Sequence, residues 1–280
     1  MITGQLRRVI EFQVNHKQNV YSEKSNIVSF ISGKGGTGKT VLSLLTALTL
    51  AKNNSKVLLI DLDLGFPNVN ILLNERANKS LDDFCYRNEE LSSVITEIDK
   101  NLHIVFGLSE NPLNLNSAKH ILRSLVTEIK KLSNFYDYVL LDMGASIDEF
   151  KLWILKNSMI KMIVTNDDPA SIMDAYALIK IYENSEKPSD FKLMINKSQS
   201  LYEGKESFLK LNKAVNSFLK SKVELFAVIP EISDLKKAVN NQNILEFYDI
   251  KSDFITSFQS SVLELNKFIQ LHNINQSTCF

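Results

Sequence analysis

The chain has 280 residues, 44% hydrophobic and 23% charged, with 32 basic side chains balancing 32 acidic ones. Those fractions exclude a disordered or fibrous protein, and the length is ample for a well-buried core. Zero net charge removes the global positive field behind non-specific nucleic-acid binding, so a DNA partner is not expected. Cys85 and Cys279 lie far apart and outside any CxxC pair. Structural zinc, iron–sulfur ligation and a disulfide framework are therefore not expected. No apolar run approaches the roughly 18 residues of a membrane span, and the first residues lack a signal-peptide h-region, which predicts a soluble, cytoplasmic protein.

In chain order, residues 1–25 are polar and mixed, with one short amphipathic stretch at Gln5–Phe12. From residue 26, short apolar runs alternate with longer helical patterns. The runs are Asn26–Ser32, Lys56–Asp61, Leu102–Phe106, Tyr138–Asp142, Lys161–Thr165, Phe191–Ile195 and Val223–Ile229. Continuous Val/Ile/Leu runs bounded by polar residues read as strands buried on both faces, hence a mainly parallel sheet. Helices are predicted over Thr40–Asn53, Ser117–Ser133, Ser171–Asn184 and Ser207–Ser221. This βαβ rhythm predicts an α/β fold, doubly wound, with helices on both faces of the sheet. With no repeat and no Pro/Gly-rich linker, residues 26–250 read as one domain, preceded by the 1–25 segment and followed by an amphipathic helix and tail over 251–280.

The chain has only 9 glycines, and four of them, Gly33, Gly35, Gly36 and Gly38, share one six-residue window. Gly33-Lys-Gly-Gly-Thr-Gly-Lys-Thr40 matches GxxxxGK[ST] between a predicted strand and a predicted helix. Glycines let backbone N–H groups curl round phosphate oxygens, and the positive end of the next helix faces the same anion. The pattern predicts ATP or GTP binding, with Lys39 on the β- and γ-phosphates and the Thr40 hydroxyl on Mg²⁺. Lys34 is poorly placed to fold back onto its own loop's phosphates. It is either a solvated surface lysine or a cation that crosses a dimer interface to a partner's nucleotide.

Two more segments end in acid. Leu58-Leu-Ile-Asp-Leu-Asp-Leu-Gly-Phe-Pro-Asn-Val-Asn70 delivers Asp61 and Asp63 from one strand end, at the edge where open α/β sheets bind ligands. Tyr136-Asp-Tyr-Val-Leu-Leu-Asp-Met-Gly-Ala145 delivers Asp142, in the manner of a Walker B strand reaching Mg²⁺ through water. Beyond them, Pro169 and Ser171 mark a helix start with Asp174 in its first turn. Asn196 closes a strand in Leu193-Met-Ile-Asn-Lys197, where its amide suits both edges of adenine.

Lys-Gly-Gly-Thr-Gly-Lys-Thr resembles the deviant Walker A motif of the MinD/ParA ATPases, in which the early lysine acts across an ATP-sandwiched homodimer. The resemblance implies a P-loop NTPase fold of the MinD-like kind, ATP and Mg²⁺ as ligands, and slow ATP hydrolysis. By that likeness Lys34, Lys39 and Asp63 are catalytic, with Asp63 positioning the attacking water. The metal is attended by Thr40, Asp61 and Asp142. The nucleotide set is Gly33, Lys34, Gly35, Gly36, Thr37, Gly38, Lys39, Thr40 and Val41, joined by Asn196 and Pro230. Pro230 belongs to Val228–Ala238, which resembles the family's adenine-covering loop. Pro67 is not expected in the segment that carries the two switch carboxylates.

Pro169-Ala-Ser-Ile-Met-Asp-Ala-Tyr-Ala-Leu-Ile-Lys180 is similar to the run that marks the flagellar branch, known as FlhG, FleN or YlxH, with Asp168 in place of the usual Glu. This implies a switch that sets the placement and number of flagella; division-site and partition ATPases, and a nucleotide-gated anti-activator, are the alternatives. Leu6–Ile10 resembles the end of a segment that stimulates an FlhF-like GTPase, but lacks the Asp-Gln-Ala that normally precedes it. Flagellar switch and basal-body proteins are further partners by resemblance. At the other end, Phe254, Phe258, Val262, Leu265 and Ile269 form one apolar helical stripe. Relatives use such a helix on the inner membrane surface. Here its polar side is poor in Lys/Arg, which favours packing on the sheet over peripheral contact through residues 254–269.

Overall fold

A computed structural model of the chain describes residues 26–63, 67–108, 115–145, 147–185, 191–250 and 252–277. Eight strands form one sheet in the order β3-β4-β2-β5-β1-β6-β7-β8. They are β1 (Ile27–Ile31), β2 (Val57–Leu62), β3 (Ile95–Asp99), β4 (Leu102–Val105), β5 (Tyr138–Met143), β6 (Ile160–Asn166), β7 (Phe191–Ser198) and β8 (Val223–Pro230). All neighbours are parallel except β3, which runs antiparallel to β4 at one edge. The doubly wound, mainly parallel sheet is as predicted.

Every residue of β1, β2 and β5 is buried, because helices cover both faces. Successive side chains point to opposite sides. Val28, Phe30, Leu59 and Leu140 enter one apolar layer, while Ile27, Ile31, Leu58, Ile60, Val139 and Leu141 enter the other. The second layer is closed by α4 (Leu115–Ser133), α5 (Glu149–Asn157), α6 (Pro169–Ser185) and α7 (Leu201–Ala214), named after three earlier helices. Those are α1 (Lys39–Lys52) and the short α2 (Val69–Leu73) and α3 (Leu81–Tyr86). The chain then adds α8 (Ser233–Asn240), α9 (Ile244–Asp249) and α10 (Asp253–Ser277).

The strand at the sheet edge, β3, was not among the predicted runs. Ile95-Thr-Glu-Ile-Asp99 has only two apolar residues, one toward each layer, and none is fully buried, so it lacks the continuous apolar signature of its neighbours. Two helix starts also move. Ser200 caps α7, its hydroxyl accepting from the Glu203 N–H, so that helix begins six residues before the predicted Ser207 and ends in a single π-turn over Val215–Leu219. Asp168 caps α6: its carboxylate accepts from the Ser171 N–H at 3.0 Å and the Ser171 hydroxyl at 2.6 Å. These bonds hold the Asp168 carboxyl below its usual range. Pro169 thus takes the first helical position, where its missing N–H costs nothing. Asp174 falls in the second turn rather than the first.

From Leu42 to Ala51, α1 is buried on all sides. Such a helix needs cover on its outer face. That cover is α10: Ile255, Phe258, Val262, Leu265 and Ile269 join the same apolar layer as Leu44, Leu45 and Leu48. The carboxy-terminal stripe is therefore a packing face, not a surface open to lipid. A polar thread runs through the contact, from Gln259 to the Tyr248 hydroxyl at 2.9 Å and from there to Thr49 at 3.0 Å. Among the described residues no helix is long and apolar enough to cross a membrane.

Leu265 is 3% exposed within this layer. Leu265→Ala is expected to lower unfolding free energy by about 3 kcal/mol in urea denaturation. An unchanged midpoint would show that α10 does not hold its seat on α1.

Candidate nucleotide site

The strand order reverses around β1, so the loops after neighbouring strands diverge and leave a crevice at the carboxyl edge of the sheet. A cavity of about 560 Å³ opens there. Its lining combines Gly35–Thr40, Asp63 and Asn196 with the apolar Val41, Pro230, Ile232, Leu235 and Val239, and with the polar Glu231, Lys236 and Asn240 beside them. Backbone and polar groups for phosphates together with apolar side chains for a base suit a nucleotide.

The glycine loop delivers the start of α1 into the cavity. Gly36 and Gly38 have φ of 76° and 89°, the left-handed region that side chains disfavour. Gly38 is the cap residue of α1, and no side chain caps that helix. Its first N–H groups and the positive end of its dipole therefore face the cavity, the arrangement that binds anions.

Lys39 is 6% exposed, and its Nζ bonds Asp142 Oδ1 at 2.8 Å. Asp142 is completely buried. Burial raises its pKa, while Lys39 and the Thr40 hydroxyl pull it back. The second carboxylate oxygen, Oδ2, is buried with no hydrogen-bond partner. An orphaned anionic oxygen beside the Thr40 hydroxyl is what a divalent cation, or its bound water, would satisfy. Among the described residues no cluster of three or more His, Cys, Asp or Glu side chains could hold a metal ion. That fits Mg²⁺, which binds through one or two protein groups and completes its shell with phosphate oxygens and water.

Asp61, expected to attend the metal, faces Asp142 on the neighbouring strand. It is fully buried, and both its oxygens already accept backbone N–H groups: Oδ1 from Asp63 at 3.0 Å, Oδ2 from Asn68 at 3.0 Å and Val69 at 3.2 Å. Burial and the neighbouring Asp142 push its pKa up to about 7, against the pull of those three donors. Its geometry is that of a positioning group that ties down the segment carrying Asp63. Asp63 itself lines the cavity, and its carboxylate rests directly on Gly144, in the space a side chain there would fill. Gly107, outside the motifs, does the same for the switch segment: a Cβ there would lie 2.7 Å from Pro67 and 3.1 Å from the Asp61 carboxyl carbon. Gly65 lies outside the described residues.

Asn196 Nδ2 donates one hydrogen to the Thr37 carbonyl at 2.8 Å, which leaves its second N–H and its Oδ1 for a base. Lys34 is exposed and, like Gly33, is not among the cavity's lining residues. Gly33 instead meets α6, where a Cβ would lie 2.5 Å from the Asp174 carbonyl oxygen. Lys197, the penultimate residue of β7, and Val239 line the cavity without having been singled out in the sequence, and Leu235 does so from the segment expected to cover adenine.

A family model described as an AAA domain matches residues 25–195. The antiactivator FleN of Pseudomonas aeruginosa is 31% identical over 218 residues, 77% of this chain and 77% of that protein. The chain belongs to the MinD/ParA family of P-loop ATPases, in its flagellar branch. The flagellum site-determining protein YlxH of Helicobacter pylori is 31% identical over 236 residues, 83% of this chain and 79% of its own length. The septum site-determining protein MinD of Pyrococcus horikoshii, solved with Mg-ADP, has the same fold, with a TM-score of 0.69 at 23% identity, covering 87% of this chain and 96% of that one. This MinD/ParA chain is thus an ATPase.

The buried Lys39–Asp142 pair gives a stability test without nucleotide. Lys39→Met leaves Asp142 without its counter-charge and is expected to cost about 3 kcal/mol. Adding Asp142→Asn removes the stranded charge and should restore most of that loss in the same urea titration. Equal stability of the single variant and wild type would mean the pair is not formed.

Proposed function

We propose that this chain is an ATP-dependent dimer switch that controls the placement and number of flagella. Two subunits close around two ATP–Mg²⁺, and each Lys34 crosses to the partner's nucleotide. Asp63 orients the water that attacks the γ-phosphate, Lys39 stabilises the developing charge, and Asp61 holds the Asp63 segment in place. Thr40 and Asp142 would hold Mg²⁺, which would neutralise phosphate charge. Pro230 and its apolar neighbours would cover the base. Hydrolysis removes the γ-phosphate that joins the two halves, and the dimer separates.

The observation that carries this reading is the split between the two lysines of one loop. Lys39 is buried in the cavity on Asp142, whereas Lys34 is exposed and outside the cavity's lining. A cation beside a phosphate site that it does not line is placed to serve a second copy. The seating of α10 on α1 further supports an output through protein partners. Peripheral membrane contact through residues 254–269 would require that helix to leave its seat. Stimulation of an FlhF-like GTPase would fall to the 1–25 segment, which lies outside the described residues.

The name of the Pseudomonas relative, an antiactivator, favours one second reading: the ATP-state dimer binds and silences a transcriptional activator, and hydrolysis only resets it. Light scattering with a non-hydrolysable ATP analogue tests the shared core of both. Wild type is expected to dimerise with the analogue and remain monomeric with ADP. Lys34→Ala is expected to bind ADP normally, stay monomeric with the analogue and lose hydrolysis by at least about tenfold. A wild-type chain that stays monomeric with the analogue overturns the switch. An Asp63→Ala variant that dimerises but does not hydrolyse separates the two readings, since a pure antiactivator keeps its output in that state.

A further inference from the structure

The end of β7 makes two contacts with the phosphate loop that the nucleotide reading does not use. Asn196 Nδ2 donates to the Thr37 carbonyl at 2.8 Å, and Lys197 Nζ donates to the Gly36 carbonyl at 2.8 Å. These are consecutive carbonyls of the loop. A trans peptide is planar, with its C=O and the following N–H pointing in opposite directions. Drawing the Gly36 and Thr37 carbonyls toward β7 therefore turns the N–H groups of Thr37 and Gly38 the other way. The Thr37 N–H closes the turn over Gly35 and Gly36, whereas the Gly38 N–H makes no backbone hydrogen bond among the described residues. A backbone N–H at a helix start without a protein partner is set for an anion.

Three further features show that the contact is built into the chain. Lys197 has φ of 53°, a left-handed conformation uncommon for a lysine. The Asn196 amide fills the space where a Cβ on Gly38 would stand, so the loop and the amide interlock. The platform itself is anchored, since Asp167 Oδ2 accepts from the Ser198 hydroxyl at 2.7 Å and the Gln199 N–H at 3.0 Å.

We infer that Asn196 and Lys197 are positioning residues for the phosphate cradle: they hold two successive carbonyls of the loop on the β7 side, which fixes the loop's shape and leaves the Gly38 N–H facing the nucleotide's phosphates. The inference rests on the nucleotide-binding reading and deepens it. It adds loop support to the role of Asn196, one Nδ2 hydrogen being used on Thr37 and the other left, with Oδ1, for a base. Lys197, whose Nζ sits on the loop's carbonyl side, acts through the loop rather than by touching a phosphate.

The test compares wild type with Lys197→Met, which keeps the aliphatic stem but not the donor, Lys197→Arg, which keeps a donor, and Lys222→Met, a surface control. Each is titrated calorimetrically with Mg-ADP and with Mg-tripolyphosphate, which has no base. Lys197→Met is expected to weaken both ligands alike by about fivefold, the size of one lost charge-assisted hydrogen bond at an exposed position. Lys197→Arg should recover most of that loss, and Lys222→Met should match wild type. Unchanged binding of both ligands by Lys197→Met overturns the inference, as does weakened ADP with unchanged tripolyphosphate, which would assign Lys197 to the base. If wild type binds neither ligand, the nucleotide reading itself fails, a result distinct from either.

Discussion

A helix buried on every side still has to leave its first N–H groups somewhere. In α1 the sheet takes one face and α10 the other, and Thr46 and Thr49 return their hydroxyls to the helix's own carbonyls at 2.7 and 2.8 Å. Only the amino end stays open, and no side chain caps it. The whole dipole of a 14-residue helix is thereby aimed into one cavity. The glycines before it, the carbonyl clamp from β7 and the apolar lid from α8 are answers to that one open end. Cover by α10 matters here even though it is far from the chemistry, because an exposed α1 could not be uniformly apolar.

The second constraint is the crowding of three carboxylates at the same edge. Asp61 and Asp142 face each other in register on adjacent strands, both fully buried, and Asp63 adds its field to Asp142. Burial and mutual repulsion raise the pKa of Asp61 and of Asp142 and favour their protonated forms until cations arrive. Lys39 supplies one charge within the chain, and the orphaned Asp142 oxygen leaves room for a second from outside. Three donors to Asp61 come from the segment that carries Asp63 and the first turn of α2. Any change in charge at Asp142 is therefore felt by the backbone of the segment meant to place the attacking water.

How much of this could be read in advance follows from where the information sits along the chain. The phosphate loop was legible because its chemistry needs eight contiguous residues between a strand and a helix. Seven strands were legible because each keeps a run of apolar residues, even β8 at the far edge, and β3 was not, because three of its five residues are polar. The 254–269 stripe showed its period but not its occupant, since a helix face looks alike whether it meets lipid or α1. Asn196 could be placed at a strand end, but whether its amide met a base or the Thr37 carbonyl depended on a residue 159 positions away. Lys197 carried no signal, because its left-handed turn and its partner Gly36 are both tertiary facts.

The segment that marks the flagellar branch is the one packed against the start of the phosphate loop. Gly33 accepts no side chain because the Asp174 carbonyl lies where its Cβ would be. The Asp168 cap of the same helix feels the charge of Lys34. Asp168 is shorter than the Glu usual in relatives, and its shorter reach suits the cap it makes to Ser171. The helix that distinguishes this branch thus sets the position from which Lys34 leaves the loop. A shift of α6 on binding a partner would move Gly33 through direct contact, with no intermediate to absorb it, and with Gly33 the lysine proposed to act on the second subunit.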